Sequence, residues 1–274
     1  MTGESTKPED WWTTSIIEMQ PGTIRYRGYA IEDLIGQVSF AQMIWLLTRG
    51  ELPDPRAAKL LEHALVAAVD HGPQAPSIAI ARMAITCGVG INNAMASAIN
   101  VLGDVHGGAG EQTVALYAEI DASIDDGKTQ ESLAAAVAAA IDRLNATGVT
   151  HVPGFGHRFH PIDPRAPRLL ALVDEAVVSG VVSGRFAAIG RAIEDLLAAR
   201  RGGLRVPMNI DGATAVIFAE LGFAPQLCRG LFAISRSVGI LAHAWEESQS
   251  GLRNKGPIPR NLTWSYTGPA PRIV

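Results

Sequence analysis

Cysteine is nearly absent: Cys87 and Cys228 are the two in 274 residues. Two thiols supply neither a disulfide framework nor a cysteine-based zinc site, and they fit a reducing compartment, where both are expected to be inert core side chains. Aromatic residues are also scarce, at 6%, although 47% of the chain is hydrophobic. The apolar content is therefore carried by Ala, Leu, Val and Ile in runs such as residues 131–142, the composition of an all-α fold rather than a sandwich or barrel. There is no excess of basic charge: 23 Lys and Arg against 27 Asp and Glu leave a net charge of -4. That excludes the positive field on which nucleic-acid binding relies. No apolar run reaches the roughly 20 residues of a membrane span. Residues 1–12 are charged and lack the apolar stretch of a secretory signal. A cytoplasmic protein with neither membrane nor nucleic-acid partners is expected.

Periodicity and punctuation divide the chain into helices. An extended start leads to a short strand pair around Gly28 and then a helical turn. Helices are expected at 39–48, 56–69 and 77–85, and small residues from Gly88 to Asn100 suit a buried helix whose neighbours approach closely. A break at 104–111 opens a helix through Ile120, and an alanine-rich helix covers 131–144. Further helices are expected at 169–178, 186–200, 213–221 and 225–248, before an irregular tail with four prolines.

Three glycine-flanked loops each present one ionisable side chain: His106, His157 and Asp211. Loops held by a rigid scaffold often carry catalytic groups, and glycine allows backbone and ligand to approach closely. Two His and one Asp also suit a metal, but their spacing matches no helical His pair, and each loop alone is more often structural.

Their order and neighbours are decisive. Seven collinear segments resemble the citrate synthase family along nearly the whole chain: Arg25-Tyr-Arg-Gly-Tyr-Ala-Ile-Glu-Asp-Leu34, Leu46-Leu-Thr-Arg-Gly-Glu-Leu-Pro53, Asp70-His71, His106-Gly-Gly-Ala-Gly-Glu111, Gly154-Phe-Gly-His-Arg158 with Asp163-Pro-Arg165, Asn209-Ile-Asp211, and Ser235-Arg236-Ser-Val-Gly239. The resemblance implies that Asp211 moves the proton at the carbon alpha to a thioester, while His106 donates a hydrogen bond to the thioester oxygen as an enol forms. It implies that His157 handles the oxygen of a 2-oxo acid, accepting the alcohol proton in the cleavage direction. His71, Arg165 and Arg236 align with substrate-binding positions, Arg260 with an arginine contributed by the partner subunit, and Arg158 and Arg205 with coenzyme A contacts. Planar guanidinium forks suit a substrate bearing two carboxylates. His63, His151, His160 and His243 receive no role. Coenzyme A enters as the thioester substrate, with no tightly bound cofactor and no metal implied.

Only one helix separates Pro53 from Asp70, where full-length citrate synthases carry on the order of a hundred further residues, a spacing that resembles the citryl-CoA lyase module of ATP-citrate lyase and the stand-alone lyases. Asp70-His-Gly-Pro73 and Arg236-Ser-Val-Gly-Ile240 lean the same way. Cleavage of citryl-CoA to acetyl-CoA and oxaloacetate is thus expected. The alternatives are a compact citrate or 2-methylcitrate synthase, favoured by the synthase-like Gly256-Pro-Ile-Pro-Arg260, and a non-catalytic CoA-ester-binding member. The family fold implies a large helical domain of 1–110 with 212–274, a small one of 111–211, and His106, His157 and Asp211 meeting in the cleft. A homodimer with a shared active site is implied. With no ATP-using module in the chain, so is a separate citryl-CoA synthetase.

Overall fold

The computed structural model describes residues 11–124, 130–157, 160–259 and 261–274. Three short antiparallel strands, β1 (Ile17–Gln20), β2 (Thr23–Tyr26) and β3 (Tyr29–Ala30), run in the order β1-β2-β3, with Glu18 opposite Arg25 and Tyr26 opposite Tyr29. The expected pair is thus a three-stranded meander, because Gly28, at φ 89°, turns the chain back once more. All remaining elements among the described residues are helical: α1 (Ile31–Leu34), α2 (Phe40–Arg49), α3 (Pro55–Ala67), α4 (Pro76–Thr86), α5 (Ile91–Ile99), α6 (Ala109–Ser123), α7 (Gln130–Ala146), α8 (Arg165–Val178), α9 (Arg185–Arg200), α10 (Ile210–Glu220) and α11 (Pro225–Ser248). The all-α expectation holds.

Contacts divide the chain into two compact units. One comprises residues 1–67 with 109–228, the other 68–108 with 229–274. Residues 1–67 group with the middle of the chain. The physical reason is α10, which buries every residue from Gly212 to Ala219 and packs against α3, α6, α8 and α9. A helix apolar all round needs cover on every side. Arg49 ties α2 to its far end, donating through Nη1 to the Leu221 carbonyl at 2.6 Å while its guanidinium stacks 4.9 Å from the Trp45 ring and 5.0 Å from Phe223. A cation on the terminal carbonyls satisfies both an orphan acceptor and the helix dipole.

The second unit has a core of small residues. Ala75, Ile78 and Ala81 pack with Ala94 and Ala98 of α5 and with Ile240 and Ala244 of α11. The close approach foreseen for residues 88–100 is present, but α5 buries one face while Asn92, Asn93 and Ser97 lie exposed. Cys228 is buried as expected; Cys87 is exposed, because it caps the end of α4 just before Gly88 turns the chain at φ 87°.

Candidate active site

In the first unit, the segment 154–156 runs beside 207–209. Phe155 bridges Met208, the Gly156 amide donates to the Pro207 carbonyl at 2.7 Å, and the Asn209 amide donates to the Gly154 carbonyl at 2.9 Å. Glycine is required here on two grounds. Gly154 sits at φ 84°, and a Cβ on Gly212 would meet the Gly154 carbonyl oxygen at 2.4 Å. The two glycines therefore pack backbone on backbone, which brings the His157 loop against the start of α10.

That helix begins at Ile210 rather than at Ala213, so Asp211 stands in its first turn instead of a loop. Asn209 is the cap. Its Oδ1 accepts from the Asp211 amide at 2.9 Å and the Gly212 amide at 3.2 Å, while its Nδ2 donates to the Gly156 carbonyl at 2.7 Å. An Asn before an apolar run is a readable start signal. Likewise α8 begins at Arg165, not near Leu169, and Asp163 organises both helix starts. Its Oδ1 accepts from the Arg165 amide at 3.1 Å and Nε at 2.9 Å, and its Oδ2 accepts from Nη2 at 2.8 Å and the Ile210 amide at 3.1 Å. Burial pushes the Asp163 carboxyl up, but these donors outweigh it and hold the group below the usual carboxylate range. Asp163 therefore aims Arg165, a role that the Asp-Pro-Arg segment signals only as spacing.

His157 is half-buried and feels Asp163, Arg165 and Asp211 electrostatically. Burial chiefly depresses its pKa, the two carboxylates pulling the other way. Its Nδ1 accepts the His160 amide at 3.1 Å, and the two rings stack at 4.7 Å. The neutral ring therefore carries its proton on Nε2 and is a donor there. Taking up a second proton at Nδ1 would release the His160 amide.

In the second unit, His106 occupies a tight loop in which the Gly103 amide donates to the His106 carbonyl at 2.8 Å. A Cβ on Gly108 would lie 2.7 Å from Asp104 backbone, so glycine is needed for the closure. The ring's Nε2 accepts the Ser77 amide at 3.2 Å and lies 3.0 Å from the Ser77 hydroxyl. Ser77 is in the first turn of α4, where backbone donors have no intrahelical partner. The neutral ring thus carries its proton on Nδ1. Burial, then the Arg236 charge, lowers its pKa and keeps it neutral. Nothing in the sequence around Ser77 announced that contact. Arg236, 5% exposed, donates through Nε to the Ala68 carbonyl at 3.1 Å and stacks 4.7 Å from Phe232.

His157, Asp163, Arg165 and Asp211 are therefore gathered in one unit, and His71, His106 and Arg236 belong to the other. His71 is exposed at the end of the 68–71 segment, and Arg205 is exposed between α9 and α10. Arg158 and Arg260 lie outside the described residues. No cluster of three or more His, Cys, Asp or Glu able to hold a metal occurs among the described residues, and no described helix is long and apolar enough to cross a membrane.

The model of the citrate synthase C-terminal domain matches residues 7–58 and 52–260. The chain belongs to the citrate synthase family. Among curated members, the citrate synthase of Acidithiobacillus ferridurans is 29% identical over 235 residues, covering 83% of this chain and 55% of its own length. The chain spans about half the length of the curated relatives it matches. The solved citryl-CoA lyase of Hydrogenobacter thermophilus is 30% identical, with a TM-score of 0.81, and the match covers 96% of this chain and 97% of that one. ATP citrate lyase from Methanothrix soehngenii, solved with citrate and coenzyme A, shares the fold at TM-score 0.76 and 19% identity, over 98% of this chain and 43% of that one.

Proposed function

We propose that this family member is a citryl-CoA lyase, cleaving citryl-CoA into acetyl-CoA and oxaloacetate. The observation that carries the reading is the match to the Hydrogenobacter lyase, at 30% identity and a TM-score of 0.81 over nearly the whole of both chains.

The tautomer of His106 supports the division of labour. The hydroxyl of citryl-CoA gives its proton to His157 as the carbon-carbon bond breaks, Nδ1 releasing the His160 amide to accept it, and the oxygen becomes the ketone of oxaloacetate. The electron pair passes to the thioester enolate, which is too basic to exist unaided at neutral pH. His106, neutral and donating from Nδ1, stabilises that oxygen; removing one such donor typically costs roughly 100- to 1,000-fold in rate. Asp211, protonated in this direction, delivers a proton to the alpha carbon. One proton passes from the hydroxyl to His157 and one from Asp211 to carbon, so the step balances. Arg165, Arg236 and His71 receive the carboxylates, Arg260 reaches the partner's substrate, and Arg158 and Arg205 contact coenzyme A.

A homodimer is part of the reading. Ile234, Val238, Leu241 and Trp245 form an exposed apolar stripe along one face of α11, which a second copy would cover. Two unpaired thiols fit a reducing, cytoplasmic setting. The thioester substrate must come from an enzyme that ligates citrate to coenzyme A with ATP.

The deciding assay presents purified protein with (3S)-citryl-CoA, following oxaloacetate through a dehydrogenase couple, and in parallel with acetyl-CoA plus oxaloacetate, following free thiol. Rapid oxaloacetate release with intact acetyl-CoA is expected, and Asp211→Ala abolishes it. Free thiol in the second arm would instead make the protein a citrate synthase, the reading its curated relatives favour. Silence in both arms, with coenzyme A ester still bound, would leave a non-catalytic binder.

A further inference from the structure

One face of α11 grips the segment that leads into His71. Three residues of that face, Arg236, Gly239 and His243, follow at spacings of three and four, so they line up along the helix. They meet three consecutive residues in register: Arg236 Nε donates to the Ala68 carbonyl at 3.1 Å, the Gly239 amide donates to the Val69 carbonyl at 3.1 Å, and His243 Nε2 lies 3.3 Å from Asp70 Oδ1. Gly239 has no room for more, since a Cβ there would lie 2.3 Å from the Val69 carbonyl oxygen. Asp70 Oδ2 in turn accepts the Gly72 amide at 3.0 Å, which closes the turn around His71.

His243 is itself held in one tautomer. Arg82 Nη1 lies 3.0 Å from its Nδ1. A guanidinium has donors only, so Nδ1 must offer a lone pair and the ring proton sits on Nε2, facing Asp70. Arg82 is pinned by two carboxylates, Glu246 at 2.5 Å and the wholly buried Glu247 at 2.6 Å. Lys255 closes on Glu247 from the tail at 3.2 Å. A chain of polar contacts therefore runs from Glu247 through Arg82 and His243 to Asp70, beside His71.

We infer that His243 is a positioning residue for the 2-oxo acid half of the site, holding Asp70 so that His71 and Arg236 are presented together. This rests on the proposed role of those two residues in binding oxaloacetate. His243 does not touch substrate; it acts through Asp70.

The experiment compares wild type, His243→Leu and His243→Gln in the condensation direction, with hydrogen–deuterium exchange of the peptide spanning residues 68–75. Leu keeps the volume and removes both polar contacts, whereas the Gln amide can accept from Arg82 and donate to Asp70. The expected result for His243→Leu is a rise of roughly tenfold to a hundredfold in KM for oxaloacetate, the scale of a misplaced binding group. KM for acetyl-CoA stays within about twofold, and exchange in 68–75 accelerates while the rest of the chain is unchanged. His243→Gln restores both readouts. An oxaloacetate KM and exchange rate unchanged in His243→Leu would overturn the inference. So would a uniform loss of both KM values with globally faster exchange that Gln does not rescue, the mark of a general structural residue. If wild type turns over nothing in either direction, the reaction assignment falls, and the exchange arm alone decides the link from His243 to Asp70.

Discussion

Replacing Gly212 by alanine tests the contact that seats the His157 loop on α10. The added Cβ would stand 2.4 Å from the Gly154 carbonyl oxygen and 2.5 Å from Met208 Cγ. Neither neighbour can swing away cheaply: one is backbone fixed by the Asn209 amide at 2.9 Å, and Met208 is 1% exposed. Overpacking of this kind costs about 1–3 kcal/mol. In a chain of this size each kcal/mol shifts Tm by about 2–4 °C, so Gly212→Ala should melt about 2–12 °C below wild type. Turnover should fall further than stability, by roughly a hundredfold, because displacing 154–157 moves His157 relative to Asp211. The control is Gly230→Ala, where a Cβ on α11 meets nothing within 4 Å. Relief of the glycine penalty in a helix interior should stabilise that variant by roughly 0.5–1 kcal/mol. Differential scanning fluorimetry and citryl-CoA cleavage read both. A Gly212→Ala protein that melts with wild type and turns over normally would refute the backbone-on-backbone seating of the loop.

His106 should titrate below the ordinary imidazole range, since burial and then the Arg236 charge both oppose its protonation, and Arg236→Gln should raise the midpoint partway back; histidine-selective NMR reads both. Because the folded ring binds its proton less readily than the unfolded one, this group weakens the fold as pH falls below about 6.5 and has no effect well above it. Asp163→Asn leaves Arg165 without its charged partner at a position 1% exposed, so a loss of about 3 kcal/mol, the low end for broken buried pairs, should appear in urea unfolding, together with a raised KM for oxaloacetate. The wild-type Asp163 contribution is fully present above the unfolded pKa of about 3.9 and disappears as pH falls through the lower folded value. Under native conditions a thiol reagent should modify Cys87 alone, because Cys228 is buried with its thiol pushed up to about 12; unfolding should release the second equivalent, and two fast native equivalents would contradict that burial.

Much of the helical frame is legible in the chain because its signals are local. Periodic apolar residues, prolines at helix starts and glycines at helix ends act within a turn or two. They mark α2 through α7, α9 and α11 to within a few residues. The two starts that were misplaced, at Arg165 and Ile210, share a cause. Both rely on Asp163, whose carboxylate serves amides 2 and 47 residues away, and no window of sequence displays the second. The residue types of the site, His106, His157 and Asp211 among glycines, were equally legible, as was the family they resemble.

Protonation was decided elsewhere. An imidazole has two nitrogens, and which one holds the proton depends on what the other accepts: the Ser77 amide for His106, the His160 amide for His157, and Arg82 for His243. The first and third partners lie 29 and 161 residues away. Sequence by itself determined the all-helical class, the element order and the chemical inventory, since propensity and pattern are properties of neighbouring residues. Only the tertiary structure decided which donor faces which acceptor, because the partners that set tautomer, aim and pKa meet through packing rather than along the chain.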